Sequence, residues 1–238
     1  MIKLSILIPA YNEEKTVSTV INSLHEVSLK DIKKEIIIID DGSQDKTPEI
    51  LAKEKEKDPS LNIFTHKVNK GKGAAIQTGL KEATGDIIII QDADLEYSPN
   101  EIPKLLDPIL SKRTKVVYGT RLRMKPVFFG KGKTPLLLHF FGNKFLSLVT
   151  SILYGAVISD METGYKVFTR DAVKGIKLNS RSFDLEPEIT AKILKKGLKI
   201  LEIDITTNPR GYDEGKKIRP VKDGSVALWT LIKYRFRN

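Results

Sequence analysis

The sequence predicts an α/β fold of three layers, in which a mostly parallel sheet carries helices on both faces. Apolar runs of strand length alternate with segments whose apolar residues keep helical spacing, the order typical of a parallel sheet. Residues 36–39 and 87–90 are each four consecutive isoleucines, which indicates strands buried on both faces. A chain of 238 residues is long enough for a sizeable core. We therefore expect residues 1–238 to form a single domain.

The predicted elements follow one another without long gaps. Pro9 ends a first strand at 3–8, and Asn12 is the predicted N-terminal cap of the first helix. Further elements of the first half are strands at 36–39, 61–66, 87–90 and 116–119 and helices at 12–27, from 47, at 71–83 and from 99. In the second half we expect a loop at 122–135, helices at 136–158, 185–197 and 226–236, and strands at 163–169 and 199–207.

Composition excludes several kinds of site. There are no cysteines, which excludes thiolate nucleophiles, disulfides and sulfur-ligated zinc. The three histidines, His25, His66 and His139, are scattered without metal-ligand spacing. The first apolar run is short and leads into acidic residues, which is not the pattern of a signal peptide. We therefore expect a cytoplasmic protein.

The net charge of +10 is divided unevenly along the chain. Residues 1–107 carry 14 Lys and Arg against 19 Asp and Glu, a net charge of −5. Residues 108–238 carry 26 against 11, a net charge of +15. This asymmetry indicates an anionic partner for the second half: nucleic acid, a phosphorylated substrate or an acidic lipid. A lysine-rich thermophile surface is the alternative explanation.

Three carboxylates follow the strand at 87–90 at alternating positions: Asp92, Asp94 and Glu96. Open α/β sheets bind their ligands at the carboxyl ends of their strands. Anions held this close repel one another unless a cation lies between them, and a hard divalent ion prefers oxygen ligands. One Asp here could simply cap the next helix, but three at this spacing favour a metal site.

Two glycine-containing loops indicate little when taken alone. Gly71-Lys72-Gly73 opens a predicted helix, but Ile76 stands where a dinucleotide fingerprint needs its third small residue. Asp40-Asp41-Gly42-Ser43, after the second strand, could be a simple turn.

The predicted helix at 136–158 is unusually apolar. Lys144 interrupts it and leaves about 15 uncharged residues, fewer than the roughly 18–20 that span a bilayer. It is therefore either a core helix or one that lies in a membrane interface. The helix at 226–236 carries the single tryptophan, Trp229, and a basic C-terminal end. Such an end suits contact with an anionic membrane.

Motifs after the first, second and fourth strands, together with others downstream, cover nearly the whole chain. They are Pro9-Ala10-Tyr11-Asn12-Glu13, Asp40-Asp41-Gly42-Ser43, Asp92-Ala93-Asp94, Gly119-Thr120-Arg121, Asp160 with Thr163-Gly164-Tyr165, Phe183 with Glu186-Pro187-Glu188, and Arg210 with Glu214-Gly215-Lys216-Lys217. Together they resemble the family 2 glycosyltransferases with the GT-A fold. Within that family the chain looks most like the polyprenyl-phosphate hexose synthases, such as the dolichol-phosphate mannose synthases.

The resemblance implies a nucleotide-sugar site at the strand ends of the first half. Its residues would be Pro9, Tyr11, Glu13, Ile39, Asp41, Asp92 and Ala93. Carboxylates can accept hydrogen bonds from base N–H groups and ribose hydroxyls, and a tyrosine ring offers a flat apolar wall. Asp92 and Asp94 would hold Mg²⁺ or Mn²⁺ against the donor diphosphate. Relatives commonly have Gln where this chain has Glu96, so Glu96 either joins the metal or only borders it.

On the acceptor side, the resemblance implies that Arg121, Arg210 and Lys216 bind a lipid phosphate. A lipid monophosphate is already an anion at neutral pH and needs no strong general base. A sugar hydroxyl would need one, and Asp160 is then the candidate by position. The alternative role for Asp160 is a turn or cap before the segment that follows it.

The resemblance therefore implies a metal-dependent, inverting transfer of a hexose from a GDP- or UDP-linked donor to a polyprenyl or dolichyl phosphate. The catalytic candidates are Asp94, Asp160 and Arg121. Residues 1–120 would bind the nucleotide-sugar and residues 121–238 the acceptor. Peripheral contact with the inner face of the cell membrane, or a membrane-anchored partner, would bring the protein to its lipid.

Two other functions are compatible with parts of the sequence. Transfer to a hydroxyl of a glycolipid or glycan differs only in the acceptor. A basic RNA-binding module would explain the charge of the second half, but not the acids at three strand ends, and exposed aromatics are not interleaved with the basic residues. We therefore expect no nucleic-acid partner. Glu186 and Glu188 are better explained as acids at a helix N-terminus than as catalytic groups.

Overall fold

A computed structural model describes residues 1–121, 137–182, 184–208 and 220–237. The strands are β1 (Ile2–Ala10), β2 (Ile32–Asp40), β3 (Asn62–Thr65), β4 (Ile87–Ile90), β5 (Val116–Thr120), β6 (Lys166–Thr169) and β7 (Ile200–Asp204). The helices are α1 (Val17–Glu26), α2 (Thr47–Lys57), α3 (Lys72–Glu82), α4 (Ile102–Leu110, after a 3₁₀ turn at Pro99–Glu101), α5 (Leu137–Tyr154), α6 (Arg170–Val173), α7 (Leu185–Lys195) and α8 (Pro220–Phe236).

The described strands form one sheet in the order β3-β2-β1-β4-β6-β5-β7. Neighbouring strands are parallel except around β6, which is antiparallel to both β4 and β5. Lys166, the first residue of β6, lies opposite Tyr118 of β5. The segment that leads into β6 therefore reaches the edge of the sheet at which β4 and β5 end.

Hydrophobic cores on the two faces of the sheet confirm the predicted three layers. Alternate residues of β1 face opposite sides, so Leu4, Ile6 and Ile8 belong to one core and Leu7 to the other. The first core includes residues of α1, α2 and α4. The second includes residues of α3, α5, α6, α7 and α8. Most of the strands are covered on both sides, which explains the isoleucine runs.

Two predictions about the first strand and helix were wrong. β1 continues through Pro9, which pairs with Ile39, because proline lacks only its own N–H and Ala10 still accepts one from Asp41 at 2.8 Å. Asn12 does not cap α1, which begins at Val17. It adopts a left-handed turn with φ of 55°, and its Oδ1 accepts the backbone N–H of Gln44 at 2.8 Å. Asparagine tolerates that conformation well.

Other boundaries differ by a few residues. β2 begins four residues before the predicted strand, and α8 begins at Pro220 instead of 226. The strand predicted at 163–169 is shorter, because β6 begins only at Lys166. The loop predicted at 122–135 lies outside the described residues. In the described ranges, no helix combines the length and the hydrophobicity that crossing a membrane requires.

A buried carboxylate ties the amino-terminal ends of β1 and β2 to the turn before β4. Glu35 accepts hydrogen bonds from Lys3 and Ser5 on β1 and from the backbone and side chain of Thr84. Burial by itself would raise the pKa of Glu35, but these hydrogen bonds outweigh it and lower the pKa to about 2. The carboxylate is therefore more stable in the folded chain than in the unfolded one.

We predict that Glu35→Gln lowers the free energy of unfolding at pH 7 by about 2 kcal/mol, because hydrogen bonds to a charged group are lost. The folded pKa is depressed, so this stability is present above the ordinary pKa of 4.5 and is lost as pH falls toward about 2. Urea unfolding at several pH values measures the difference between wild type and variant. The exposed Glu56→Gln is the control, and a difference that did not shrink in acid would contradict this assignment.

Candidate active site

Those predicted site residues that the structure describes converge at the carboxyl edge of the sheet, as expected for parallel strands. The loop after β1 and the loop after β2 contact each other through Asn12, whose N–H donates to Ser43 Oγ at 3.0 Å. Pro9, Tyr11 and Glu13 are half-buried at this junction. These two loops carry the residues predicted to bind the nucleotide, and we call them the nucleotide side of the candidate site.

Two residues predicted on the nucleotide side are buried in the cores. Ile39 is 0% exposed and belongs to the core under α3, and Ala93 is 3% exposed in the core of the opposite face. Their side chains are committed to packing. Any contact that they make with a nucleotide would be through the backbone.

Asp41 is buried and fixes the loop that leads to α3. Its Oδ1 lies 2.6 Å from His66 Nδ1, and its Oδ2 accepts the N–H of Gly71 at 2.7 Å. The N–H of Lys70 reaches both oxygens, at 3.0 and 3.2 Å. Thr78 contacts the other ring nitrogen of His66 at 2.9 Å. Asp41 therefore positions the start of α3, and its contact with the nucleotide stays a prediction.

Lys72, the first residue of α3, pairs with the predicted metal ligand Asp92. Its Nζ lies 2.8 Å from Asp92 Oδ1 and 3.1 Å from Oε1 of Glu186, on the first turn of α7. Gly73 N–H donates to the carbonyl of Arg181 at 3.1 Å, which holds the start of α3 close to the segment before α7. Burial alone would lower the pKa of Lys72, but the two carboxylates outweigh it and raise the pKa. The site thus contains a fixed cation between two carboxylates.

The sequence alone did not assign Lys72 a role and undervalued Glu186. The motif search treated Lys72 only as part of a weak dinucleotide pattern, and Glu186 as an acid at a helix N-terminus. Both residues belong to the site because distant parts of the chain pack together. Glu188 does serve the local fold: its carboxylate accepts the N–H groups of Asn179 and Ser180. A basic residue opening the helix between two acidic strand ends is the only sequence signal that could have indicated Lys72.

Asp94 and Glu96 lie in a turn beyond β4, not on an extended strand. Leu95 between them has φ of 62°, so the chain changes direction there. Asp94 Oδ1 accepts the N–H of Glu96 at 3.0 Å. Alternating spacing therefore does not align the three carboxylates. In the part of the chain that the structure describes, no group of three His, Asp or Glu side chains is arranged to hold a metal ion by itself.

Asp92 and Asp94 nevertheless suit a divalent ion that binds together with a diphosphate. Mg²⁺ is commonly held by one or two carboxylates, with water and substrate phosphates as the remaining ligands. Asp92 is paired with Lys72, so an ion that binds Asp92 Oδ1 has to displace the ammonium. A role for Glu96 as a ligand stays a prediction.

Arg121 and Asp160 lie at the predicted acceptor end of the site. Asp160 is fully buried, and its Oδ2 accepts both the backbone N–H and the Nε–H of Arg121, at 2.9 and 2.8 Å. Its Oδ1 accepts from Arg121 Nη2 at 2.8 Å. Glu202 on β7 fixes Asp160 in turn by accepting its N–H at 2.9 Å. A carboxylate buried in this way orients an arginine better than it serves as a base for an incoming hydroxyl.

The segment 160–165 joins the two ends of the site. Gly164 N–H donates to Tyr97 Oη at 2.9 Å. A Cβ on Gly164 would lie 2.5 Å from Asp92 Oδ2, so only glycine allows this close approach. The guanidinium carbon of Arg121 lies 5.9 Å from the centre of the Tyr97 ring. Tyr97 therefore lies between the donor end at Asp92 and the acceptor end at Arg121.

Two predicted acceptor residues, Arg210 and Lys216, lie outside the described residues. Asn208, the last described residue before them, donates its N–H to the carbonyl of Glu96 at 3.0 Å. The chain is therefore beside the turn that carries Asp94 and Glu96 at that point. The roles of Arg210 and Lys216 stay predictions.

We predict that Lys72→Met increases the affinity of the protein for Mn²⁺ alone by several-fold, because the ion no longer has to displace an ammonium from Asp92. Titration calorimetry or the electron paramagnetic resonance of free Mn²⁺ measures that affinity directly. Lys81→Met, an exposed change on the same helix, should leave the affinity unaltered. Unchanged Mn²⁺ binding by the Lys72 variant would contradict competition at Asp92.

Comparison with known proteins identifies the family of the chain. Residues 5–176 match the model of glycosyl transferase family 2. A UDP-N-acetylglucosamine–dolichyl-phosphate N-acetylglucosaminyltransferase from Methanococcus voltae is 32% identical over 85% of this chain and 84% of its own length. A dolichol-phosphate mannosyltransferase from Pyrococcus furiosus is 29% identical over 90% of this chain, but the match covers 59% of its own length.

The fold has solved counterparts. The glucosyl-3-phosphoglycerate synthase of Mycobacterium tuberculosis, crystallised with Mn²⁺, UDP and glucosyl-3-phosphoglycerate, matches 98% of this chain and 80% of its own. The TM-score is 0.73 at 21% sequence identity. This likeness confirms the GT-A fold. The family match over residues 5–176 shows, in addition, that the chain belongs to the family 2 glycosyltransferases.

Proposed function

We propose that this glycosyltransferase moves a hexose from a GDP- or UDP-linked donor to a polyprenyl or dolichyl phosphate, with inversion at the anomeric carbon. The bond between that carbon and the donor diphosphate breaks, and the nucleoside diphosphate leaves with the electron pair. A new bond forms between the same carbon and an oxygen of the lipid phosphate. The observation that carries the proposal is the fixed guanidinium of Arg121 beside the carboxylate end of the site.

The donor end has the groups that a nucleotide diphosphate requires. Pro9, Tyr11 and Glu13 line the nucleotide side, and Asp92 and Asp94 would hold Mg²⁺ or Mn²⁺ against the diphosphate. A bound ion would neutralise the charge that develops on the departing diphosphate. Lys72, once displaced from Asp92, would be available to bind a phosphate oxygen. Solved relatives crystallised with Mn²⁺ or Mg²⁺ and UDP support this assignment.

The acceptor end favours an anion over a hydroxyl. Asp160 holds Arg121 through Nε and Nη2 and is itself buried, so it orients a cation and does not face an acceptor as a base. A phosphate acceptor arrives deprotonated and needs only to be positioned and desolvated. Arg210 and Lys216 would add cations to the same end. Relatives named for dolichyl phosphate support this acceptor class.

Transfer to a sugar hydroxyl is the second candidate. It requires a base, and the one predicted by position, Asp160, is committed to Arg121. The structure therefore favours the phosphate acceptor. The relatives are named for different sugars, N-acetylglucosamine and mannose, so the identity of the hexose is left open.

We predict transfer to polyprenyl phosphate and none to the corresponding polyprenol when the protein is incubated with Mn²⁺ and a panel of GDP- and UDP-hexoses. Mass spectrometry of the lipid fraction detects the product. Asp94→Ala should reduce transfer at least about 100-fold, since charge stabilisation by one group is worth that much. Asp107→Asn, which changes an exposed side chain on α4, should leave transfer unaltered. Equal transfer to the alcohol would contradict an anionic acceptor.

A membrane contact through α5 and α8 would bring the site to its lipid. The two helices pack together, and Tyr154 of α5 donates its hydroxyl to the carbonyl of Leu231 of α8 at 2.7 Å. Both also expose apolar side chains at helical spacing. We name this set the α5–α8 apolar surface: Phe141, Phe145, Leu148, Ile152, Val226, Trp229, Ile232 and Phe236.

The composition of this surface suits an anionic bilayer. Ile152 is 73% exposed, Trp229 65% and Phe236 80%, an unusual arrangement for a soluble protein unless a partner covers them. Exposed Lys233, Arg235 and Arg237 follow on α8 and its end. Apolar side chains beside basic ones are the pattern of helices that lie in a membrane interface. We therefore propose that the protein makes peripheral contact with the inner face of the cell membrane.

We predict that vesicles containing an anionic lipid shift the fluorescence of Trp229, the single tryptophan of the chain, to shorter wavelength. Phe145→Ser should weaken vesicle binding at least about fivefold, because it removes a large apolar surface. Val68→Ser is the matched control, since Val68 is equally exposed but follows β3 at the opposite edge of the sheet. Unchanged fluorescence with vesicles would favour a membrane-anchored protein partner instead.

A further inference from the structure

Glu162 lies between the two ends of the site and has no part in the reaction described so far. It belongs to the segment 160–165, which approaches Asp92 at Gly164 and holds Arg121 through Asp160. Of the six residues in this segment, five are buried and Glu162 is partly exposed. A hexose that passes from a diphosphate at Asp92 to a phosphate at Arg121 has to lie beside this segment.

Lys166 fixes the backbone on both sides of Glu162. Its buried Nζ donates to the carbonyl of Met161 at 3.0 Å and to the carbonyl of Thr163. The same ammonium lies 4.2 Å from the centre of the Tyr118 ring. Glu162 is therefore carried on a rigid turn. A side chain that distinguishes between ligands needs such support, because its hydrogen bonds must be placed to within about 0.5 Å.

The carboxyl group of Glu162 is not fully matched by its surroundings. One of its oxygens, Oε1, is buried without a hydrogen-bond partner among the described residues. Unmatched buried acceptors are rare in proteins and call for an explanation such as a functional role. Burial, together with the negative charge of Glu186, raises the pKa of Glu162. A carboxyl group that carries a proton can donate and accept hydrogen bonds, as a sugar hydroxyl does.

The charged groups assigned so far would bind parts of the substrates that do not differ from one hexose to another. The carboxylates Asp92 and Asp94, and the cations Lys72 and Arg121, would bind metal or phosphate, which all nucleotide-hexoses and lipid phosphates share. Selection among epimers depends on hydrogen bonds to individual hydroxyls. Such selection requires a polar group placed beside the sugar itself.

We propose that Glu162 recognises a hydroxyl group of the transferred hexose and thereby helps to determine which sugar is used. The proposal rests on the proposed function, because it assumes a hexose between the donor and acceptor ends of the site. Glu162 touches the sugar but takes no part in bond making or breaking. It is a specificity residue of the donor site.

The test compares Glu162→Ala and Glu162→Gln with the wild type. Calorimetry measures binding of the nucleoside diphosphate alone and of nucleotide-hexoses that differ at one hydroxyl, and transfer assays give kcat/KM for each hexose. Glu162→Ala should reduce the preference for the favoured hexose over its epimer about tenfold, the effect of one lost hydrogen bond to a carboxyl group. Binding of the nucleoside diphosphate should stay within about twofold. Glu162→Gln, which keeps a donor and an acceptor, should retain most of the preference.

Glu54→Ala, which removes a buried carboxylate of α2, is the matched control and should leave the preference unchanged. A preference is a ratio, so partial unfolding of a variant does not alter it. An equal loss for every hexose after Glu162→Ala, or an equal loss for the nucleoside diphosphate, would overturn the proposal. If the wild type bound no nucleotide-hexose at all, the proposed function would fail first, and the two failures are thereby distinguished.

Discussion

The antiparallel insertion of β6 between β4 and β5 is the constraint on which the site depends. A strand parallel to its neighbours would place its leading segment at the opposite edge of the sheet. Because β6 runs the other way, the segment 160–165 reaches the carboxyl edge, where β4 delivers Asp92 and β5 delivers Arg121. Donor end, acceptor end and the residue between them are thus brought together by the direction of one four-residue strand.

Charges at this edge are paired before any substrate is bound. Lys72 lies between Asp92 and Glu186, and Arg121 is held by Asp160. A buried charge without a partner would destabilise the fold, and the ion pairs reduce that destabilisation. They also keep cations and carboxylates oriented, which lowers the reorganisation required when charge moves during transfer. A bound substrate or ion can therefore replace one member of an existing ion pair while the other charged side chains keep their positions.

The charge asymmetry of the chain corresponds to a division of the fold. The acidic residues 1–107 provide β1 to β4 and the loops of the predicted nucleotide side. The basic residues 108–238 provide Arg121, Asp160 and the α5–α8 apolar surface. The change of charge falls within α4, between residues 107 and 108. A basic surface next to exposed apolar helices is consistent with an acidic lipid, whereas the sequence alone left nucleic acid, phosphorylated substrate and lipid open.

The sequence by itself determined the layers of the fold, most element positions and the residues that follow strand ends, including Asp92, Asp94 and Arg121. It also singled out Asp160, in the segment before β6. Those features depend on local sequence. The spacing of hydrophobic residues determines whether a segment forms a helix or a strand, and the carboxyl ends of parallel strands lie at one edge of the sheet. The two wrong predictions, at Pro9 and Asn12, also have local causes, because each residue is compatible with more than one type of backbone structure. Motif spacing alone could not decide whether Asp160 acts as a base or as a partner of Arg121.

Only the tertiary structure decided which of these groups meet. Lys72 and Glu186 form an ion pair although they are far apart in the chain, and contacts of that kind have no spacing signature. Glu162 became a candidate only because burial, an unmatched oxygen and the position of its segment coincide. Leu95 adopts a left-handed conformation, which bends the chain between Asp94 and Glu96. The alternating spacing of the carboxylates in the sequence gave no sign of this bend. Periodicity decides what a segment becomes, whereas packing between distant segments decides which side chains face one another.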